Sequence, residues 1–259
     1  MGMDIMAGPG VDMADVLKSG ERLDDLHRND FKIIQNPLYF SFGMDAVLLS
    51  SFAKINKGER HLDLCAGNGI VPILLAARYA GLAAGFWGIE IQEQLVEMAG
   101  RSVAFNGLEG VVSIVCADIK NEPDFFAHGS FDVVTANPPY MAVGSGFENV
   151  NCNMAMARHE ILCNLEDVCA CAAQMLRFGG RFYMVHRPGR LADIVASLRS
   201  NGLEPKLLRL VQPKAVSRPN MLLIMAARGG RPHLNVEAPL VVYGDEGVYT
   251  REVNEIYYG

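Results

Sequence analysis

Apolar residues follow two alternating patterns along this 259-residue chain. Short apolar runs alternate with longer stretches whose apolar residues recur every three or four positions, as in helices with one buried face. The predicted helices span residues 43–55, 68–79, 93–105 and 191–199, with one more that Asn164 caps and Gly179-Gly180 ends, and the predicted strands span residues 61–65, 85–91, 111–115, 131–136, 181–185, 206–211 and 221–227. This alternation predicts an α/β fold with right-handed crossovers and a largely parallel sheet.

The remaining segments depart from the alternation. The last two strands follow each other without a helix, so we expect an antiparallel hairpin at one edge of the sheet. Residues 21–42 predict a short hairpin or extended lead-in, and residues 1–20 a flexible N-terminus. Residues 233–259 predict an appended hairpin around a turn at 244–247, which leaves residues 21–232 as the main domain.

Composition is that of an ordinary globular enzyme, with 50% hydrophobic and 20% charged residues, and the net charge of −6 gives no overall nucleic-acid signature. The charge is unevenly distributed. Residues 1–176 carry a net charge of −11, whereas residues 177–232 hold 11 basic and 2 acidic residues, a net charge of +9. Such a segment is either a surface for a polyanion or a set of salt-bridge partners for the acidic half.

The sequence carries no targeting, membrane or metal signal. The N-terminus lacks the basic and apolar regions of a signal peptide. Residues 70–89 hold Arg78 as their only charge, but Pro72 and three glycines predict a helix, a turn and a strand rather than a membrane span. The six cysteines include no Cys-x-x-Cys pair, and Cys169 and Cys171 would point apart on one helix. We therefore expect structural thiols, no metal and a cytoplasmic location.

Ligands of open α/β sheets bind beyond the carboxyl ends of the strands, so residues at those ends are the candidates for chemistry. Asp63 lies near the end of one predicted strand, followed by Ala66-Gly67-Asn68-Gly69, where two glycines let the backbone pass close to a ligand at a helix N-terminus. The same glycines also suit a plain tight turn. The third glycine of a dinucleotide site is absent, which argues against a pyrophosphate cofactor.

Acidic residues also end the next two strands. Glu90 can accept both hydroxyls of a ribose, and Asp118 can accept a hydrogen bond from an adenine amino group, although either can also be a solvated carboxylate. Asp63 can bind an ammonium group or a bridging water. Three acids at successive strand ends therefore suit a ligand that is a nucleoside with a positively charged tail and no phosphates.

The fourth strand end carries the tetrapeptide Asn137-Pro138-Pro139-Tyr140. The Asn137 amide oxygen and the Pro138 carbonyl can both accept from one planar NH2 group, which would aim its nitrogen lone pair at an electrophile. Tyr140 offers a face for stacking a planar base or amide. Asn-Pro and Pro-Pro are also common in rigid turns, which is the alternative reading.

The tetrapeptide resembles the signature of class I S-adenosylmethionine-dependent methyltransferases that act on amino groups. Three stretches more narrowly resemble the bacterial tRNA1(Val) adenine-N6 methyltransferases: Glu21-Arg22-Leu23-Asp24-Asp25-Leu26, Lys32-Ile33-Ile34-Gln35-Asn36-Pro37 and Phe42-Gly43-Met44-Asp45-Ala46-Val47-Leu48-Leu49. The resemblance extends to the C-terminus. It implies a Rossmann-like, seven-stranded, mostly parallel sheet and N6-methylation of adenosine 37 in a valine tRNA.

The resemblance also implies roles for particular residues. S-adenosylmethionine would lie over the glycine turn, and Asn137, Pro138, Pro139 and Tyr140 would hold the target amine. The cofactor would contact Phe42, Asp45, Asp63, Ala66, Gly67, Asn68, Gly69, Glu90, Ile91, Asp118, Ile119 and Asn137. The basic segment 177–232 would meet tRNA phosphates. Arg158 and His159 would lie at the pocket rim, or form a surface pair at the start of a helix.

Other functions share parts of this pattern. A glutamine-N5 protein methyltransferase carries the same tetrapeptide because an amide NH2 resembles an exocyclic amine. An rRNA guanine-N2 methyltransferase and a DNA adenine methyltransferase also fit it, although no target-recognition insert is evident for DNA. A cofactor-binding RNA adaptor without activity is the non-enzymatic alternative.

Overall fold

The computed structural model describes residues 16–39, 41–79, 81–121, 125–138, 163–244 and 246–259. In chain order the elements are β1 (Arg22–Asp25), β2 (Lys32–Gln35), α1 (Met44–Phe52), β3 (Arg60–Leu64), α2 (Ile70–Tyr79), β4 (Gly85–Glu90), α3 (Glu93–Phe105), β5 (Val112–Cys116), β6 (Phe131–Ala136), α4 (Leu165–Met175), β7 (Leu176–His186), α5 (Leu191–Ser200), β8 (Leu203–Gln212), β9 (Met221–Arg228), β10 (Asn235–Val236), β11 (Leu240–Val241) and α6 (Arg251–Tyr258). The predicted α/β alternation is confirmed, with α3 and β6 at their predicted bounds.

The centre of the sheet is parallel. Strands β5, β4, β3, β6 and β7 lie side by side in that order, each parallel to its neighbour. Strand β9 pairs antiparallel with both β7 and β8, which confirms the hairpin and inserts β9 between β7 and β8. Helices α1, α2 and α6 pack on one face of the sheet, and α4 and α5 on the other.

Among the described residues the large sheet has nine strands, where seven were expected. The additional strands are β10 and β11, both two residues long and both parallel to β8 at the edge of the sheet. Two-residue strands are too short to carry a period of alternation, so the hydrophobic pattern gives no sign of them.

The C-terminal segment contains an antiparallel contact around the predicted turn, and a helix that was not predicted. Tyr243 and Tyr249 form an antiparallel bridge, the Gly247 N–H donates to the Gly244 carbonyl at 3.1 Å, and helix α6 follows. The Thr250 hydroxyl caps this helix by accepting from the Val253 N–H, and the Val253 side chain is fully buried. Arg78 donates to the Ile256 carbonyl at 2.6 Å. The segment is therefore packed into the main core rather than appended to it.

The predicted lead-in hairpin is confirmed by the antiparallel pair β1 and β2. Ile34 ties it to the rest of the molecule: its N–H donates to Ser102 Oγ in α3 at 3.0 Å, and its carbonyl accepts from Asn68 Nδ2 at 2.9 Å. No helix in the described part of the chain is both long and apolar enough to cross a membrane.

The junction of α4 and β7 corrects the predicted end of that helix. Asn164 does cap α4, in a reciprocal box with Asp167, but the helix ends at Met175, and Gly179 and Gly180 lie inside β7. The register of β7 against β6 shifts between Phe131 and Val133, which draws the chain close to itself. A Cβ on Gly180 would lie 2.9 Å from the Arg177 carbonyl oxygen. Close backbone approach, rather than helix termination, therefore requires this glycine.

We expect Gly180→Ala to lower the free energy of unfolding by about 1–3 kcal/mol, because the added methyl group overlaps backbone atoms that cannot move aside. Urea unfolding monitored by circular dichroism measures the change. Gly189→Ala is the matched control, since a Cβ there would meet nothing within 4 Å. Equal stability of the Gly180 variant and the wild type would contradict this account of β7.

Candidate functional site

The register of the central strands gathers the predicted acidic residues at one edge of the sheet. Asp63 pairs with Gly88 of β4 on one side and with Thr135 of β6 on the other. Glu90 ends β4 opposite Cys116, two residues before Asp118. The structure therefore places these predicted site residues on adjacent strand ends, as the carboxyl-end rule requires.

The glycine turn is fixed to the end of β4. Gly67 and Gly69 have φ values of +55° and +81°, which glycine adopts at little cost. The Gly67 N–H donates to Glu90 Oε2 at 2.9 Å, and the Ala66 N–H donates to the Ile89 carbonyl at 2.9 Å. The turn and the second acidic strand end thus form one rigid unit.

Glu90 is buried yet keeps hydrogen-bonding capacity. Its Oε2 atom accepts from Gly67, and its Oε1 atom accepts from the Gln92 N–H at 3.0 Å. The Oε1 atom also accepts from the Gln92 side-chain amide at 3.4 Å. Since each carboxylate oxygen has about two lone-pair sites, Oε2 retains one for a further donor. Within the described residues, no Lys or Arg hydrogen-bonds or forms an ion pair with Glu90 or Asp63.

Asp63 is held by a chain of buried polar side chains. The Thr135 hydroxyl donates to Asp63 Oδ1, and His61 Nε2 lies 2.8 Å from the same hydroxyl oxygen. Because the single Thr135 proton is used on Asp63, the hydroxyl oxygen accepts from His61, which assigns the hydrogen to Nε2. All three residues are at most 2% exposed.

Burial sets the protonation of this chain. Removal from water raises the pKa of Asp63 to about 8, with a smaller rise from the Glu90 charge, against the lowering effect of the Thr135 hydrogen bond. Burial lowers the pKa of His61 to about 3, so the imidazole is neutral at pH 7. A buried carboxyl without a cationic partner is a favourable contact for a positively charged ligand group.

Two neighbouring thiols lie beside the glycine turn. Cys65 Sγ and Cys163 Sγ are 3.9 Å apart, and both are free thiols. The hydrogen bond with Cys163, together with burial, raises the pKa of the Cys65 thiol. Since the thiolate is the reactive form, this environment disfavours nucleophilic chemistry at Cys65.

The outer cofactor residues predicted from resemblance have defined local roles. Asp118 Oδ1 accepts from the Lys120 N–H at 2.9 Å, which orders the turn after β5, and Ile119 is buried among apolar residues. Ile91 is half-buried directly after Glu90. Asn68 is fully buried and binds the lead-in hairpin through its Nδ2 atom, which gives it a structural bond besides any ligand contact.

The lead-in brings two further predicted residues to the first helix. The Phe42 N–H donates to Gln35 Oε1 at 2.9 Å, and the half-buried Phe42 side chain packs against the core beside α1. Asp45 lies in the first turn of α1, where its Oδ1 atom accepts from the Ala46 N–H at 2.9 Å. A carboxylate there also interacts favourably with the helix dipole.

The tetrapeptide begins at this same edge. Asn137 is half-buried, and Pro138 is buried directly after β6. Asn137 follows Thr135 by two residues, the spacing that keeps side chains on one face of an extended chain. The contact between Thr135 and Asp63 therefore puts the start of the tetrapeptide beside the acidic strand ends. Pro139, Tyr140, Arg158 and His159 lie outside the described residues.

Comparison with known proteins decides the family. A family model described as a methyltransferase domain matches residues 55–209, from just before β3 into β8. The chain belongs to this methyltransferase domain family. The matched region contains every strand end that contributes an acidic residue to the site.

This methyltransferase is similar to other methyltransferases in sequence and in structure. The tRNA1(Val) (adenine(37)-N6)-methyltransferase of Dickeya chrysanthemi is 26% identical over 213 residues, covering 80% of this chain and 82% of its own length. A crystal structure from Agrobacterium tumefaciens, called a predicted O-methyltransferase, matches with a TM-score of 0.68 at 24% identity, covering 83% and 95% of the two chains. The geranyl diphosphate C-methyltransferase of Streptomyces coelicolor, crystallised with S-adenosyl-L-homocysteine, matches with a TM-score of 0.50 at 13% identity, covering 71% and 78%.

Part of the positive charge of the basic segment 177–232 is neutralised within the fold. Five of its arginines form ion pairs with carboxylates, namely Arg177, Arg181, Arg190, Arg199 and Arg209. Several of these partners come from outside the segment, including Asp132 and Glu59. Only Arg177, Arg181 and Arg209 pair with acids outside the segment among the described residues, so salt bridging offsets a minority of its net positive charge. Separately, no cluster of three or more potential metal ligands occurs in the part of the chain that the structure describes.

Sequence reasoning missed Thr135 and His61. Neither residue follows a strand, and neither belongs to a recognisable motif. Their contact with Asp63 depends on the pairing of β3 with β6, which are separated by about 70 residues. Only knowledge that these two strands are neighbours in register would have connected them.

We expect the stability of the ligand-free methyltransferase to fall as the pH rises from 6.5 to 8. The folded-state pKa of Asp63, about 8, exceeds its ordinary value of 3.8, so the folded state binds more protons and loses this stabilisation as the carboxyl ionises. The lowered pKa of His61 makes the free energy of unfolding depend on pH only below pH 6.5, outside this range. Urea unfolding should show a decrease of at most about 2 kcal/mol. Asp63→Asn should abolish the slope, and a slope that survives would assign it to another group.

Thr135→Val should move this pH-dependent loss of stability to higher pH. The substitution removes the hydrogen bond that lowers the pKa of Asp63, and it costs about 1–3 kcal/mol because buried polar partners lose their contacts. Thr135→Ser keeps the hydroxyl and should retain the wild-type pH profile. Identical profiles for the valine variant and the wild type would show that the hydroxyl does not control Asp63.

Proposed function

We propose that this methyltransferase uses S-adenosylmethionine to methylate the N6 amino group of an adenosine in tRNA. By resemblance to its Dickeya relative, the target is adenosine 37 of a valine tRNA. The observation that carries the proposal is the buried pair Asp63 and Glu90, which lacks a cationic partner among the described residues and lies beside Asn137 and Pro138.

The donor groups of the site fit this cofactor. Asp63 is a buried carboxyl whose ionised form needs a positive partner, which the ammonium group of the methionine moiety supplies directly or through water. Glu90 Oε2 retains a lone pair for a ribose hydroxyl, and Asp118 lies one strand further out, toward the adenine. The carboxylates of Glu90 and Asp118 would repel a pyrophosphate. S-adenosylmethionine supplies, when bound, a methyl group on a positively charged sulfur.

Asn137 and Pro138 orient the acceptor in this proposal. The Asn137 amide oxygen and the Pro138 carbonyl accept one hydrogen each from the adenine NH2 group, which turns its lone pair toward the methyl carbon. Proline at positions 138 and 139 removes two backbone donors that could otherwise compete for these oxygens. The amine becomes acidic as it is methylated, so its proton leaves to water without a dedicated base.

Two acceptor oxygens favour nitrogen over oxygen as the methylated atom. An exocyclic amine carries two hydrogens and can satisfy both acceptors, whereas a hydroxyl carries one and would leave the other buried and unpaired. The Agrobacterium structure, called a predicted O-methyltransferase, shares 24% identity and therefore supports the fold alone.

The proposal has two consequences for location and organisation. A tRNA substrate places the protein in the cytoplasm. The methyltransferase domain with its lead-in spans residues 21–232 in this reading, and residues 233–259 complete the edge of the same sheet through β10 and β11. Residues 1–15 lie outside the described part of the chain.

Asn137→Ala should reduce methyl transfer by at least about 100-fold, because it removes one of the two acceptors that align the amine. Binding of S-adenosylmethionine, measured by calorimetry, should survive. The transfer assay uses labelled S-adenosylmethionine and total RNA from cells that lack the enzyme, followed by digestion to nucleosides, and N6-methyladenosine is the expected product.

Asn137→Asp is the matched control, since it retains an acceptor oxygen and should keep more activity than the alanine variant. Full activity of Asn137→Ala would show that the tetrapeptide is structural. N2-methylguanosine as the product, or label transferred to protein instead of RNA, would replace the adenine assignment with another amine or amide.

A further inference from the structure

The turn between β8 and β9, residues 213–220, lies at the same edge of the sheet as the proposed active site. Strands β7 and β8 are both antiparallel to β9, so β7 and β8 run in the same direction and end together. Val211 pairs with Met221, and His186 pairs with Leu222. Counting across β6, β7, β9 and β8, the turn starts three strand spacings from the end of β6, about 14 Å. We call residues 213–220 the cationic turn.

The cationic turn carries two cations that have no carboxylate partner among the described residues. Of the eleven basic residues between 177 and 232, five form ion pairs with carboxylates, and Arg187, Lys206 and Arg228 donate to backbone carbonyls. Among the described residues of that segment, Lys214, Arg218 and Arg231 have no such partner. Lys214 and Arg218 belong to the turn and are exposed, and residues 213–220 contain no acidic residue.

The backbone of the turn is braced from three sides. Gln212 Nε2 donates to the Ala215 carbonyl at 3.0 Å, and Arg187 Nη1 at the end of β7 donates to the Asn220 carbonyl at 3.1 Å. The Tyr243 N–H donates to the Pro213 carbonyl at 2.8 Å. Pro213 and Pro219 further restrict the chain. Lys214 and Arg218 therefore project from an ordered support, which lowers the entropy cost of binding.

The surroundings of the site make cations useful at this rim. Glu90 and Asp118 lie at the ends of neighbouring strands, and their negative charge repels the phosphates that flank a target base. Lys214 and Arg218 offset that repulsion on the side of β6 away from the acidic strand ends. An extruded base can then reach Asn137 while its flanking backbone stays attached to the protein.

We propose that the cationic turn is the phosphate-binding surface for the RNA substrate, with Lys214 and Arg218 as its contacts. This assignment rests on the proposed function. It restricts the proposed RNA contacts of the basic segment to one turn. It assigns them to Lys214 and Arg218 rather than to Arg190, whose guanidinium is paired with Asp193.

The test is the salt dependence of tRNA binding by Lys214→Ala, Arg218→Ala and the double variant. Loss of each phosphate contact should reduce the slope of log affinity against log salt by about 0.7–0.9. The KM for tRNA should rise while kcat at saturating tRNA is unchanged. Arg231→Ala is the matched control, because Arg231 is equally exposed but follows the opposite end of β9.

Each outcome assigns failure to a different proposal. Wild-type slopes and affinities for both turn variants, with adenosine methylation intact, would overturn the cationic turn and leave the proposed function standing. An equal loss in Arg231→Ala would also overturn it, since the effect would then reflect net charge. A wild-type protein that methylates no RNA, although it binds S-adenosylmethionine, would instead defeat the proposed function.

Discussion

The site depends on a carboxyl group buried at the centre of the sheet without a compensating cation in the described structure. Burying an ionisable group in this way is costly, and the cost appears as a pKa of about 8 for Asp63. Thr135 offsets part of it with a hydrogen bond from the neighbouring strand. The remaining cost makes the ligand-free protein less stable than its packing allows, and a cationic ligand would recover that stability. Ligand binding and folding are thereby linked through one residue.

Glu90 extends this constraint to the backbone. By accepting from the Gly67 N–H, it fixes the glycine turn to β4, and its charge in turn contributes to the raised pKa of Asp63. The two acids therefore act together. Glu90 shapes the turn and its charge disfavours a second anion nearby, whereas Asp63 ionises readily only when a positively charged group binds beside it. A site of this kind discriminates against phosphate-bearing cofactors through charge, and it does so before any contact with a base or ribose is made.

Much of this arrangement could be predicted from the sequence, because strand ends follow from local hydrophobic periodicity and short βαβ connections favour a parallel sheet. Asp63 and Glu90 lie at the carboxyl ends of predicted strands, where the sequence alone identifies them as candidates. Thr135 was not, since its role depends on the register of strands far apart in the chain. Gly180 was misread as a helix terminator because its requirement comes from a close tertiary approach. Strands β10 and β11 are two residues long, too short for an alternating side-chain pattern to reveal them.

From its charge alone, the basic segment 177–232 could be either a surface for a polyanion or a set of salt-bridge partners. Most of its arginines lie along or beside the strands and helices, within reach of carboxylates. Ion pairs at the surface contribute little stability, but a paired arginine is less available to bind RNA phosphates. Lys214 and Arg218 escape pairing because they lie on a turn whose own residues include no acid. Ion pairing between this segment and the carboxylates around it also affects where unpaired positive charge remains. Among the described residues of segment 177–232, it leaves Lys214 and Arg218 as unpaired cations at the edge where Asn137 lies. In the proposed complex these two charges would attract the phosphates of the RNA to that edge rather than to the whole basic face.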